Sequence, residues 1–186
     1  MLKRVVCILL ALVCLLSCAL AEEVPDDFLF MDAIHWNSSA NEVAAVLGEV
    51  ERKTEHDPDI GWLEVVLANG MELYGVSGVR VLLLFYNDSL MDISCLFPET
   101  EVRDVQALIY VASEELGKAR IYEKENYLMD FMTGANTLCD WKLGEVTRAV
   151  LTRESKTEGN YALNITNEEI GDAFSEKVLK EQEQKE

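Results

Sequence analysis

The stretch Trp62-Leu63-Glu64-Val65-Val66-Leu67-Ala68-Asn69-Gly70-Met71-Glu72-Leu73-Tyr74-Gly75-Val76 decides the fold. Trp62 to Ala68 reads as a strand and Met71 to Val76 as its return. Between them stands Asn69-Gly70, the pair favoured in type I′ turns, where both central residues take positive φ. An antiparallel hairpin is expected over 62–76. Further on, Gly75-Val76-Ser77-Gly78 turns the chain into Val79 to Tyr86, and Asn87-Asp88 links that segment to Leu90 to Phe97, so three or four antiparallel strands follow in order. Along the last strand Met91, Ile93, Cys95 and Phe97 alternate with Leu90, Asp92, Ser94 and Leu96, and the two-residue period assigns the first set to the core.

Upstream, Ser39 precedes Glu42 by three residues, the spacing of a capping box, and Val43, Val46 and Leu47 fall on one helical face before Gly48. A helix is expected over Ala40–Leu47. Glu49 to Gly61 is charged and turn-rich and reads as a connection. Downstream, Pro98 stops the strand run, and Val102, Val105, Leu108, Ile109, Ala112 and Leu116 recur at helical spacing up to Gly117, giving the principal helix, Glu101–Leu116. Leu128 to Leu138 is a poorly patterned connection. Val146 to Arg153 and Tyr161 to Ile165 form a second hairpin around Glu158-Gly159-Asn160. Thr166 and Glu169 make another capping box that opens a helix through Leu179, with a polar tail over 180–186 expected to fray. No internal repeat or linker divides the chain. The expected architecture is α+β: one domain over 28–179, with an antiparallel sheet of five or six strands and helices packed on one face.

Of 186 residues 49% are apolar, which suffices for a sizeable core, and 34 acidic against 16 basic residues give a net charge of −18. Full disorder is excluded and binding to nucleic acid disfavoured, because the overall field repels phosphate backbones. Lys3 and Arg4, the apolar run Val5 to Leu16, and Ala19-Leu20-Ala21 have the three parts of a secretory signal cleaved after Ala21. No later apolar run approaches the ~20 residues that cross a bilayer. Loss of Lys3 and Arg4 would take the charge from −18 to −20. The expected address is the extracellular space or the cell envelope. In a rival processing route, Leu15-Leu16-Ser17-Cys18 resembles a bacterial lipobox with Cys18 as the lipidated residue. Glu22 to Asp27 then reads as an extended acidic leader. Only Cys95 and Cys139 would remain, forming either one disulfide or two buried free thiols.

Ile34-His35-Trp36-Asn37-Ser38-Ser39-Ala40-Asn41-Glu42-Val43, with Leu47-Gly48 after it, resembles the opening of small exported domains related to the β-lactamase inhibitor protein and to the SmpA/OmlA outer-membrane lipoproteins. Those domains open with an aromatic or apolar residue, a Trp-Gly pair, a Ser or Thr cap, a Glu-Val pair and a Leu-Gly stop, followed by an antiparallel sheet. Asn37 stands where that pattern has Gly. The resemblance implies helices on one face of a sheet in an exported binding or envelope protein. It carries no inhibitor activity, because no binding residue can be matched.

Catalytic and metal signatures are sparse. His35 and His56 are the only histidines, so a three-His metal site is excluded, and His35 beside Trp36 reads as structural. Gly75-Val76-Ser77-Gly78-Val79 approaches the G-x-S-x-G elbow but ends in Val79 and lies between strands, so Ser77 reads as a turn residue. Asp57-Pro58-Asp59, with Glu55 and Glu64 nearby, offers oxygen ligands of the kind Ca²⁺ takes, but the EF-hand register fails at Trp62 and Ala68. Trp36, Trp62, Trp141, Tyr74, Tyr86 and Tyr161 could form an aromatic binding face, but most such residues in a small domain are expected in the core. Three sequons, at Asn37, Asn87 and Asn164, read as chance occurrences. These residues yield no catalytic set and no cofactor or resident metal. The expected function is a non-enzymatic binding module that recognises a protein or ligand, by charge a basic or cationic one, through a sheet face or edge. The alternatives are a carboxylate-based secreted hydrolase and a Ca²⁺-stabilised structural protein.

Overall fold

The computed structural model describes residues 29–122, 136–153 and 161–185. The signal segment with Cys18, the acidic leader and the Glu158-Gly159-Asn160 turn lie outside the described residues. In chain order the elements are β1 (Leu29–Phe30), β2 (Ile34–His35), α1 (Ala40–Leu47), β3 (Val50–Asp57), β4 (Gly61–Leu73), β5 (Val76–Tyr86), β6 (Ser89–Phe97), α2 (Val105–Leu116), β7 (Arg120–Ile121), β8 (Asn136–Leu143), β9 (Thr147–Arg153), β10 (Tyr161–Asn167) and α3 (Glu168–Lys185). β1 and β2 pair with each other. The other eight strands form one antiparallel sheet in the order β3-β4-β5-β6-β10-β9-β8-β7.

The α+β class is as expected, but the sheet has eight strands rather than five or six. One addition is β3, in the segment taken for a connection. Val50-Glu51-Arg52-Lys53-Thr54-Glu55-His56-Asp57 has no apolar alternation because it is an edge strand exposed over Glu51 to His56, where charge discourages pairing with other chains. The short β7 and the start of β8 were hidden for a related reason: neither continues an apolar period.

Asn69-Gly70 does not turn the chain. β4 runs through it, and the pair forms a bulge between Ala68 and Met71 with Gly70 at φ 72°; Asn69 Oδ1 accepts from Arg80 Nε at 3.1 Å. The reversal falls at Tyr74-Gly75, with φ 52° and 75°, after Leu73 has reached the core. Core alternation thus outweighs local turn preference. Asn87 and Asp88, at φ 48° and 65°, make the next turn as anticipated.

Helix boundaries differ similarly. α1 carries the Ser39–Glu42 capping box. α2 starts at Val105 rather than Glu101, because Asp104 caps it while the amides of Glu101 and Val102 fold back onto the Pro98 carbonyl. Asn167, not Thr166 with Glu169, supports the start of α3 by accepting from the Ile170 amide at 3.1 Å. α3 continues to Lys185, so helix occupies most of the tail expected to fray.

Val66, Leu83, Ile93, Ile165, Ala149 and Trp141 lie opposite one another across six strands, none more than 1% exposed. This row is the sheet's contribution to the core, and each large side chain in it stabilises the fold by about 1.5–3 kcal/mol. The β1–β2 hairpin, α1 and α2 cover it with Phe30, Ile34, Trp36, Val43, Leu108 and Ala112. Two indoles fasten that cover: Trp36 Nε1 donates to Thr147 Oγ1 on β9 at 2.7 Å, and Trp141 Nε1 donates to Ser113 Oγ on α2 at 3.0 Å.

In the adjacent row Cys95 faces Leu163, Leu163 faces Leu151, and Leu151 faces Cys139. The cysteines are therefore three strand spacings apart, about 14 Å, whereas a disulfide needs Cα atoms within about 7 Å. They do not pair; both are free and buried. Burial pushes both thiols up, Cys139 to about 12.

Two measurements check this packing. Thr147→Val leaves the buried Trp36 N–H without its acceptor and should cost about 1–3 kcal/mol in urea unfolding; an unchanged midpoint would show that the bond contributes nothing. In a chain beginning at Glu22, iodoacetamide should leave Cys95 and Cys139 untouched under native conditions and alkylate both in urea without reductant. A mass showing no alkylation in urea would mean that they are oxidised together.

Candidate functional site

The other face of the sheet changes character from one side to the other. Leu67 pairs with Leu82, Leu82 with Ser94, Ser94 with Asn164, Asn164 with Val150, Val150 with Asp140, and Asp140 with Arg120. The neighbouring row runs Val65, Leu84, Asp92, Thr166, Arg148, Lys142. The face is therefore apolar over β4 and β5, mostly polar over β6 and β10, and mostly charged over β9, β8 and β7. Val65, Leu67, Leu82, Leu96 and Val150 are all half-buried.

α3 covers only one end of this face. Its half-buried Phe174 meets the Tyr86 ring edge-on at 5.2 Å, and Lys177 Nζ reaches the Ile60 carbonyl at 3.3 Å, which also accepts from Tyr86 Oη at 3.0 Å. Two helices thus pack on the core face and the third crosses the opposite one, which corrects the expectation that all helices share one face.

At the polar centre Asp92 accepts from Thr166 Oγ1 at 2.7 Å, and Ser94 Oγ lies 3.2 Å from Asp92 and 2.7 Å from Asn164 Oδ1, its single hydrogen serving both acceptors. Burial raises the Asp92 carboxyl above the usual carboxylate range, outweighing the lowering by Thr166 and Ser94. At the charged end Arg120 forks onto Asp140, Nε to Oδ1 at 2.8 Å and Nη2 to Oδ2 at 2.7 Å, with its guanidinium 5.2 Å from the Tyr122 ring centre. The Asp140 pair raises the Arg120 pKa further. Arg148 Nη2 stands 3.7 Å from Asp140 Oδ2. With Lys118, Lys142 and Glu168 these groups line a recess of about 510 Å³.

The residues singled out in the sequence are dispersed. Trp36 and Trp141 are core residues, Tyr86 is buried under α3, and Tyr74 and Tyr161 are half-buried. Trp62 is the exposed one of the six, at 54%, with the His56 ring 4.3 Å away on the overhanging end of β3 and β4. His35 lies on β2, and its backbone amide donates to Ser38 Oγ. Ser77 lies in β5 rather than in a turn, and the cavity beside it is lined by Tyr74, Val102, Arg103 and Asp104, among others, with no histidine among the described residues. Glu64 is held by Arg52 and Glu55 by Lys53. Asp57 and Asp59 meet Glu181 of α3, the three offering oxygens within 4.8 Å of one another; Asp57 Oδ1 already accepts from the Asp59 and Ile60 amides. Asn87 Oδ1 accepts from the Trp62 amide at the turn.

The basic recess was not foreseen. Its cations are spread over 118–148 and only strand register brings them together, so no sequence motif marks it. Among the described residues no helix is long and apolar enough to cross a membrane. No family model, curated protein or solved structure matches the chain.

Because Asp92 binds its proton more tightly folded than unfolded, protonation favours the fold. That stabilisation is full below the unfolded carboxylate value of about 3.9 and is lost as pH rises through the raised folded value. Asp92→Asn, which keeps the shape and removes the charge, should therefore raise the melting temperature at pH 8, with the gain shrinking toward pH 4. A lower melting temperature at pH 8 would contradict the assignment.

Proposed function

We propose that the chain is an exported, non-enzymatic binding module that recognises a protein or ligand through the far face of its sheet. The observation that carries this reading is the group of half-buried apolar side chains Val65, Leu67, Leu82 and Leu96 on the far face, which stands beside ordered polar groups. Such a surface suits recognition, since a rigid sheet holds its side chains at fixed spacing and loses little entropy on binding. The face is favoured over the edge: β3 is charged along most of its length and β7 has two residues, so neither offers a long template for strand addition. The −18 charge steers basic partners toward the chain at long range. The signal-like leader supports export, and the similarity of residues 34–48 to the openings of inhibitor-like and lipoprotein domains fits a binding role.

The test is capture from culture fluid or cell envelope with a chain beginning at Glu22, in parallel with Leu82→Glu. The captured species should saturate, and the variant should bind it at least tenfold more weakly at an unchanged melting temperature, as expected for a residue central to an interface. Equal capture by both proteins would refute the face assignment. Glycosidase or esterase turnover abolished by Asp92→Asn would favour the hydrolase alternative, and a rise in melting temperature with millimolar Ca²⁺ would favour the metal-stabilised one.

A further inference from the structure

We infer that the recess at the β7–β8–β9 end of the far face is a binding site for a small oxyanionic ligand, a carboxylate or a phosphate ester, held by Lys118, Lys142 and Arg148. The inference rests on the reading of this face as the binding surface and names the ligand chemistry at one end of it.

Charge distribution is the first ground. Four of the chain's 16 cations line this one recess, against two carboxylates, leaving a local net of +2 in a chain of −18. Charges more than about 8–10 Å apart are largely screened at physiological salt, so at the recess the local field prevails over the global one.

The ladder supplies the second ground. Lys142 and Arg148 stand directly opposite each other on β8 and β9, and both are exposed. Like charges in that position repel and destabilise the strand pair. A sequence that breaks a local rule without compensation marks a functional site more often than an accident, and an anion between the two would turn the repulsion into two charge-assisted hydrogen bonds.

Asp140 supplies only part of that compensation. Its carboxylate holds the Arg120 fork and makes a longer ion pair to Arg148 at 3.7 Å, whereas neither Lys118 nor Lys142 forms an ion pair among the described residues. The Arg120–Asp140 pair forms one side of the recess, and Lys118, Lys142 and Arg148 line the rest of it with Glu168.

The recess has the size of a small-molecule site, about 510 Å³. An extended polyanion such as nucleic acid, or an anionic membrane surface, would meet the repulsive field of the rest of the chain.

Thermal melts and calorimetry with inorganic phosphate and with citrate, each against NaCl at matched ionic strength, test the inference. At least one anion should raise the melting temperature saturably, by mass action on the folded state, with one ion bound per chain; phosphate or citrate prevailing tells which oxyanion class the site takes. Lys142→Gln and Arg148→Gln should each weaken that binding about tenfold, while Arg103→Gln beside α2 should not. At low salt and without anion, Lys142→Gln should melt higher than the parent, since it removes the cross-strand repulsion. No response to either anion beyond matched NaCl, or an undiminished response in Lys142→Gln, would overturn the inference. The Leu82→Glu capture result does not bear on this titration, so a failed recess and a failed face are told apart.

Discussion

The Trp36 indole donating to Thr147 spans 111 positions of sequence, and the rest of the structure depends on what it closes. An eight-stranded sheet presents two faces, and the described residues supply a full cover for only one. Trp36 brings the N-terminal hairpin and α1 down onto β9, several strands away from β4 beside α1, while Trp141 reaches from the sheet to Ser113 of α2. Both indole nitrogens are thereby satisfied inside the core, where an orphaned donor would cost more than the bond contributes. With the cover fastened to one side, α3 is the helix that packs on the opposite side among the described residues.

That one-sidedness accounts for the burial pattern. Core-facing positions of β5 and β6, such as Val81, Leu83, Ile93 and Cys95, are fully buried, whereas Leu82, Leu84, Ser94 and Leu96 between them are half-buried. The alternation is apolar on both faces over most of β5 and becomes mixed on the far face from β6 onward, where Asp92, Ser94, Asn164 and Thr166 stand with Leu96 and Val150. A face that served only as a solvated exterior would be polar throughout, and one covered by protein would be buried throughout. The far face is neither, and its character follows strand order rather than chain order.

Legibility in the sequence followed the physics of each element. The first cap, the Asn87-Asp88 turn, the pairing of β9 with β10 and the alternation along β6 from Ile93 onward were readable because short-range rules decide them; at the start of β6 a register shift instead sets Leu90, expected on the other face, opposite Phe85 in the core. The Asn69-Gly70 turn was misread because an equally local signal lost to the register of Leu73 and Val76 in the core. β3 was missed because edge strands are charged for reasons unconnected with strand propensity, and the Thr166 cap because its hydroxyl is engaged by Asp92 from a strand 74 positions away. The cysteine question and the basic recess share one feature: both depend on how many strands intervene between distant residues, which no local pattern records. The same register that keeps Cys95 from Cys139 gathers Arg120, Lys142 and Arg148.

Net charge illustrates the limit of composition as an argument. A value of −18 describes the field at distances well beyond a Debye length and properly disfavours nucleic acid. At contact distance the relevant quantity is the sum over a few residues, and it changes sign between surfaces of the same protein: β3 and the Asp57–Asp59–Glu181 corner lie at one edge of the sheet, the Lys and Arg cluster at the other. Strand order thus converts a uniformly acidic composition into a polarised surface, and the polarity supplies the directionality that composition lacks.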